Sequence, residues 1–243
     1  MQEPLCLDGT HYAYAFRPGH GSGRHRWVLH LQGGAWCATE SECLSRRGTG
    51  MGTSSDWGYF HEPAGILSDE EAINPDMHNW NVVFLPYCDG SSFLSDRSAP
   101  LVLNGTAVYM RGRWIFHSVV AHLLATKQLA DAESVLLTGC SSGALGALLK
   151  LNVLQDMLAW LAPQARVLGL SDAGWCSIPP STRSCIQIQY NVCVCVCVCV
   201  CVCVRVRDKE NVVCKCACSI ACMLHAHIYT HKHTYSHTFI PYA

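Results

Sequence analysis

The chain of 243 residues carries 17 Lys and Arg against 18 Asp and Glu, and it is 50% hydrophobic but only 14% charged. A net charge of −1 leaves no basic face for nucleic acid or an anionic membrane, while the apolar half is enough for one sizeable core in a single α/β domain. The start, MQEPLCLDG, shows neither a basic n-region nor an apolar h-region, so no signal peptide is visible, and no run of about 18 apolar residues indicates a membrane span.

Seventeen cysteines suggest a disulfide scaffold until they are located. Cys6, Cys37, Cys43, Cys88, Cys140 and Cys176 are the only ones in the first 176 residues, and the other eleven crowd into 185–222. The front part therefore has an ordinary load, compatible with an oxidising compartment and two or three bridges. Cys37 and Cys43, flanking a short loop, are the best candidate pair. The thirteen histidines divide in the same way, eight before residue 123 and five in HAHIYTHKHTYSHT near the end.

Along the chain, HYAYAF (11–16) and RWVLHL (26–31) read as short strands joined by the turn-rich RPGHGSGRH, which suggests a hairpin or near neighbours. LQGGAWC follows at once, and two glycines at the end of an apolar strand mean a backbone held close to something. TESECLSRR (39–47) reads as a short helix with Thr39 as N-cap and Glu42 completing a capping box. The long loop RGTGMGTSSDWGYFHEPAG is of a length that suggests function. NVVFLPYCDGSS (81–92) is a buried strand ending in an Asp-Gly turn. Residues 113–130 repeat apolar side chains at helical spacing, Ile115, Val119, Leu123 and Phe116, Val120, Leu124, and should pack on the sheet. An apolar strand at 134–138, a tight turn, a helix from about 142 and the strand ARVLGL complete an alternation of strands and helices that describes a parallel α/β sheet.

The turn is Gly139-Cys140-Ser141-Ser142-Gly143, a G-x-S-x-G pattern placed between a strand and a helix. Glycines allow the sharp turn that presents Ser141 at the carboxyl end of the sheet, and the helix behind it adds free N–H groups that favour negative charge. An acyl-transfer site also needs an oxyanion hole. The residue after the nucleophile, Ser142, supplies one N–H, and the early Gly-rich loop supplies Gly34 and Ala35. In this arrangement an acid and then a histidine follow the serine, yet no histidine lies between Ser141 and the tail. Asp172, in SDAGW, reads as a turn or cap aspartate, and His30 as a packed strand residue rather than a displaced base.

The tail is explained by codons. An uninterrupted GTGTGT repeat translates as Val-Cys and a CACACA repeat as His-Thr, and both occur, in VCVCVCVCVCVCV (192–204) and THKHTYSHT. Residues from about 177 onward are read as a translated dinucleotide repeat, disordered or spurious. The competing interpretation is a soft-metal tail, since KCACSIAC places sulfurs at a usable spacing. No metal site and no cofactor is expected in the front domain.

The ordered set LCLDGT, HLQGGAWC, NPDMHNWNVVFLPYCDGSS, YMRG, GCSSG and LSDAGW resembles the pectin acetylesterase family, which includes the Notum carboxylesterases, over residues 5–175. The resemblance implies an α/β-hydrolase-like fold, a mostly parallel sheet with flanking helices, here C-terminally truncated. It implies Ser141 as nucleophile, an oxyanion hole at Gly34, Ala35 and Ser142, and acetylated pectin of the cell wall as substrate. Members are exported, with which the sequon Asn104-Gly105-Thr106 agrees. The expected organisation is a partial esterase domain at 1–176 and a low-complexity tail at 177–243. The family's triad Asp and His are missing, so the chain is expected to be impaired. The alternatives are a non-catalytic polysaccharide-binding remnant and a metal-binding or spurious product of a repeat-containing transcript.

Overall fold

The computed structural model describes residues 2–57 and 64–174, together with four short strands farther along, 186–188, 192–194, 202–205 and 238–241. Residues 58–63 of the long Gly-rich loop and the remainder of the Val-Cys and His-Thr tail lie outside the described residues. The front part contains β1 (Ala13–Arg17), β2 (Arg26–Leu31), α1 (Glu40–Arg47), β3 (Asn81–Leu85), β4 (Leu101–Leu103), β5 (Thr106–Val108), α2 (Gly112–Thr126), β6 (Ser134–Cys140), α3 (Ser142–Leu158) and β7 (Arg166–Asp172). Numbered onward, the short strands are β8 (Ile186–Ile188), β9 (Val192–Val194), β10 (Val202–Arg205) and β11 (Thr238–Pro241).

The main sheet runs β10-β7-β6-β2-β3-β1-β11. Its centre is parallel, β7 on β6, β6 on β2 and β2 on β3. On its flanks, β1 joins β3, β10 joins β7 and β11 joins β1 antiparallel. Sequential β1 and β2 thus form no hairpin, because β3 inserts between them. β2 and β3 are near-continuous apolar runs that suit a central parallel ladder, whereas β1, buried only at Tyr14 and Ala15, takes an outer antiparallel place.

Strand alternation assigns the two faces. Trp27, Leu29, Leu31, Val83, Leu85, Val135, Leu137 and Val167 enter one large core with α2 and α3. Val28, Val82 and Leu136 face the other way, against Leu67, Met77, Trp80, Leu168 and Leu170. Helix α2 buries Ile115, Phe116, Val119, Val120 and Leu123, as its spacing predicts. Burying five such side chains contributes on the order of 10 kcal/mol by area, far more than the few tenths each that its β-branched residues cost a helix. The helix ends at Thr126, earlier than the expected 130, because Gln128 turns left-handed with φ 61°. In α1 the capping box forms as expected: Thr39 Oγ1 accepts from the Glu42 N–H, and the Glu42 carboxylate accepts from the Thr39 N–H.

Candidate active site

Strand β6 ends and α3 begins at Ser141, whose backbone has φ 53° and ψ −123°. A non-glycine residue in that region is strained, and such strain persists only where the surroundings enforce it. The Ser141 N–H donates to the Asp172 carbonyl at 3.0 Å, and its own carbonyl accepts from Ala144 N at 3.1 Å. Its side chain is exposed at the sheet's carboxyl end, directly before the first turn of α3. The flanking glycines are there for closeness. A Cβ at Gly143 would lie 2.2 Å from the Leu31 carbonyl oxygen, so α3 can start against the end of β2 only without a side chain.

The same crowding brings the Gly-rich loop to the serine. A Cβ at Gly33 would stand 2.5 Å from the Cys140 oxygen and 3.0 Å from Ser141 Cβ. The Gly34 N–H donates to Ser142 Oγ at 2.8 Å, joining two of the three expected oxyanion donors directly. Ala35 is left-handed, with φ 52°. Three successive carbonyls of the loop are held from outside: Arg46 Nη1 donates to Gly34 O at 2.5 Å, the Tyr87 hydroxyl to Ala35 O at 2.5 Å, and Arg46 Nη2 to Trp36 O at 3.3 Å. The C=O and N–H of one planar peptide point in opposite directions, so fixing the Gly34 and Ala35 carbonyls also fixes where the Ala35 and Trp36 N–H groups point.

Behind the loop the expected Asp-Gly turn is also a buried support. Tyr87 accepts from Ser92 N at 3.0 Å, and its ring closes on Gly34. Burial, then the Asp89 charge, raise its pKa well above the ordinary value, so the phenol keeps its proton as a donor. Trp36 Nε1 donates to Ser92 Oγ at 2.7 Å. Asp89 is fully buried; it accepts from the Ser91 hydroxyl and from Phe93 N, and Ser91 and Ser95 pass the network to the first N–H of α2, at Gly112. Burial raises the Asp89 pKa to about 6, against the opposing effect of those donors.

The Cys37–Cys43 bridge expected from spacing is present and ties the loop to α1. A second bridge, Cys6–Cys88, spans 82 residues and reaches the residue next to Asp89; nothing local in the sequence points to it. His30 is 7% exposed and stacks on Phe84 with ring centroids 5.6 Å apart, the packed strand residue anticipated. Asp172 is half-buried, opposite Cys140 in the β6–β7 register, and its carbonyl serves the Ser141 N–H. Burial raises its pKa, Cys140 adds to this and His30 opposes it. Among the described residues no group of three His, Cys, Asp or Glu is placed to hold a metal ion, and no helix is long and apolar enough to cross a membrane.

Comparison with known proteins gives the family and the fold. Pectin acetylesterase 5 of Arabidopsis thaliana is 39% identical over 174 residues, covering 70% of this chain and 39% of that protein. The palmitoleoyl-protein carboxylesterase Notum of Mus musculus is 36% identical over 173 residues, covering 70% of this chain and 33% of that protein. The chain thus spans about two-fifths of the length of its plant relative. Among solved structures, the Wnt deacylase Notum from Drosophila superposes with a TM-score of 0.67 at 31% identity, over 74% of this chain and 53% of that one, and with it the chain shares the α/β-hydrolase fold. The pectinacetylesterase family model matches residues 1–197, beyond the front domain and into the first Val-Cys repeats, and the chain belongs to the pectinacetylesterase family.

Proposed function

We propose that the chain carries the nucleophile region of an exported carboxylic ester hydrolase that removes acetyl groups from cell-wall pectin. The observation that carries this reading is Ser141, exposed and left-handed between β6 and α3, with the Gly-rich loop packed against it. Ser141 Oγ attacks the ester carbonyl, and the resulting oxyanion accepts from the N–H groups of Gly34, Ala35 and Ser142. The Gly34 N–H first exchanges its bond to Ser142 Oγ for the oxyanion. One such donor contributes about 3 to 4 kcal/mol to the transition state. Two disulfides favour an oxidising compartment.

Catalysis also needs a base for the serine proton. After Ser141 the only histidines are the five at 225–237, outside the described residues. Without a positioned imidazole, what remains is weak acceleration from the oxyanion donors. The expected result is acetyl release by the 243-residue chain, from acetylated pectin and a simple acetyl ester, near background and unchanged by Ser141→Ala. Robust turnover lost on that substitution would support the nucleophile and refute the impairment. Among the described residues no histidine follows Ser141, which equally favours a second reading, a non-catalytic polysaccharide binder, for which affinity for pectin without turnover is the signature. The division into an esterase part at 1–176 and a repeat tail at 177–243 is tested by sequencing transcripts across the codons for Asp172 to Asn191. Reads that leave DAGW for new coding sequence containing an aspartate and a histidine would make the tail an artefact of gene assembly.

A further inference from the structure

We propose that Asn104 carries an N-linked glycan at the tip of the β4–β5 hairpin, an inference that rests on the export reading. Asn104-Gly105-Thr106 is the one Asn-x-Ser/Thr run with a non-proline centre in the 243 residues. Leu103 pairs with Thr106 across the hairpin, which makes Asn104 and Gly105 the two turn residues. Their φ angles are 47° and 77°, the positive pair of a type I′ turn that Asn-Gly adopts more readily than other pairs. The hairpin is anchored through one face and bare at its turn. Leu103 and Val108 are buried in a small core with Leu7, Cys37, Cys43 and Met110. By contrast, Asn104 and Gly105 are exposed, Val102 is 70% exposed, and a Cβ on Gly105 would meet nothing within 4 Å. A bulky polar group on Asn104 Nδ2 therefore displaces no packed side chain and stays in solvent. The disulfides Cys6–Cys88 and Cys37–Cys43 favour an oxidising compartment, where such sequons are modified.

The co-reactant is a lipid-linked oligosaccharide diphosphate. Asn104 Nδ2 attacks the anomeric carbon of its first N-acetylhexosamine, a C–N bond forms as the anomeric C–O bond breaks, the amide gives up one proton to the transferase, and the lipid diphosphate leaves. Nothing is oxidised or reduced. The full chain, delivered to the endoplasmic reticulum behind a secretory leader, is expected to show one step in electrophoretic mobility that an endoglycosidase reverses without denaturation. Asn104→Gln and Thr106→Ala should each abolish it; Thr106→Ala leaves both turn residues intact, so its loss cannot be assigned to a broken turn. Ser141→Ala should leave the step unchanged, which separates this result from the fate of the esterase reading. No step while a control glycoprotein is modified, or a step that survives Asn104→Gln, overturns the assignment. A step in the delivered chain but none in the protein isolated from its own tissue overturns the modification in the cell together with the export on which it rests.

Discussion

The turn at Ser141 and the loop that faces it reach their unusual backbone angles by different routes. Ser141 is bent where β6 hands directly to α3, and the glycines beside it stand where side chains would collide with the end of β2. Ala35 is held in the same left-handed region by side chains 11 and 52 residues away along the chain, Arg46 under the Gly34 carbonyl and Tyr87 under its own. Local strain of the first kind leaves a short motif in the sequence. The second kind leaves an arginine and a tyrosine that look like any others.

The largest effect expected from this contrast is at Gly143. A Cβ there meets two carbonyl oxygens, Leu31 O at 2.2 Å and Gln32 O at 2.6 Å, and neither is the end of a flexible side chain. Gly143→Ala should cost about 3 to 4 kcal/mol, at or above the top of the usual overpacking range. Gly48→Ala, where a Cβ meets nothing within 4 Å, should stay within about 0.5 kcal/mol. Urea unfolding of the two variants measures the difference, and equal midpoints would remove the steric account of the turn.

Next in size is a pH effect confined to the loop's support. Burial raises the Asp89 carboxyl to about 6 in the folded chain, from 3.8. Between those values the folded state binds more protons than the unfolded state, so stability falls as pH rises. The contribution is fully present below about 4 and is lost through about 6, at most about 3 kcal/mol. Asp89→Asn carries no titrating proton, so its stability difference from the parent should change across that window. An unchanging difference from pH 4 to 7 would mean that the donors from Ser91 and Phe93 outweigh burial.

The same contrast explains what was legible in the sequence. Strands β2, β3 and β6, the helix after each glycine turn, the capping box at Thr39 and the Cys37–Cys43 bridge are written in short stretches, and each lies where those stretches place it. The neighbour of β1 was not legible, since choosing β3 over β2 depends on the completed sheet. Nor was Cys6–Cys88, one pairing among many for six cysteines. Asp89 and Tyr87 were hidden because CDG is a good turn signal in its own right, and burial, not composition, makes them supports. Arg46 reads as the polar face of α1. The β4–β5 hairpin is written in the sequence as Asn-Gly between apolar pairs, a strong short-range signal that the same residues share with a sequon.

The smallest predicted effect is also the most local. Tyr87→Phe keeps the ring that walls Gly34 but removes one hydroxyl that both donates to Ala35 O and accepts from Ser92 N. Two polar groups then lose their shared partner, at a cost of about 2 kcal/mol. Global stability alone would not distinguish this from any other buried hydroxyl. Amide exchange does: the N–H groups of Gly34, Cys37 and Ser92, bonded to Ser142 Oγ, Gly90 O and the Tyr87 hydroxyl, should lose protection while Ala144 N and Leu145 N, bonded to the Ser141 carbonyl, keep theirs. Uniform loss at both places would mean that the turn and the loop open as one unit, and that the loop's distant supports also hold the Ser141 turn.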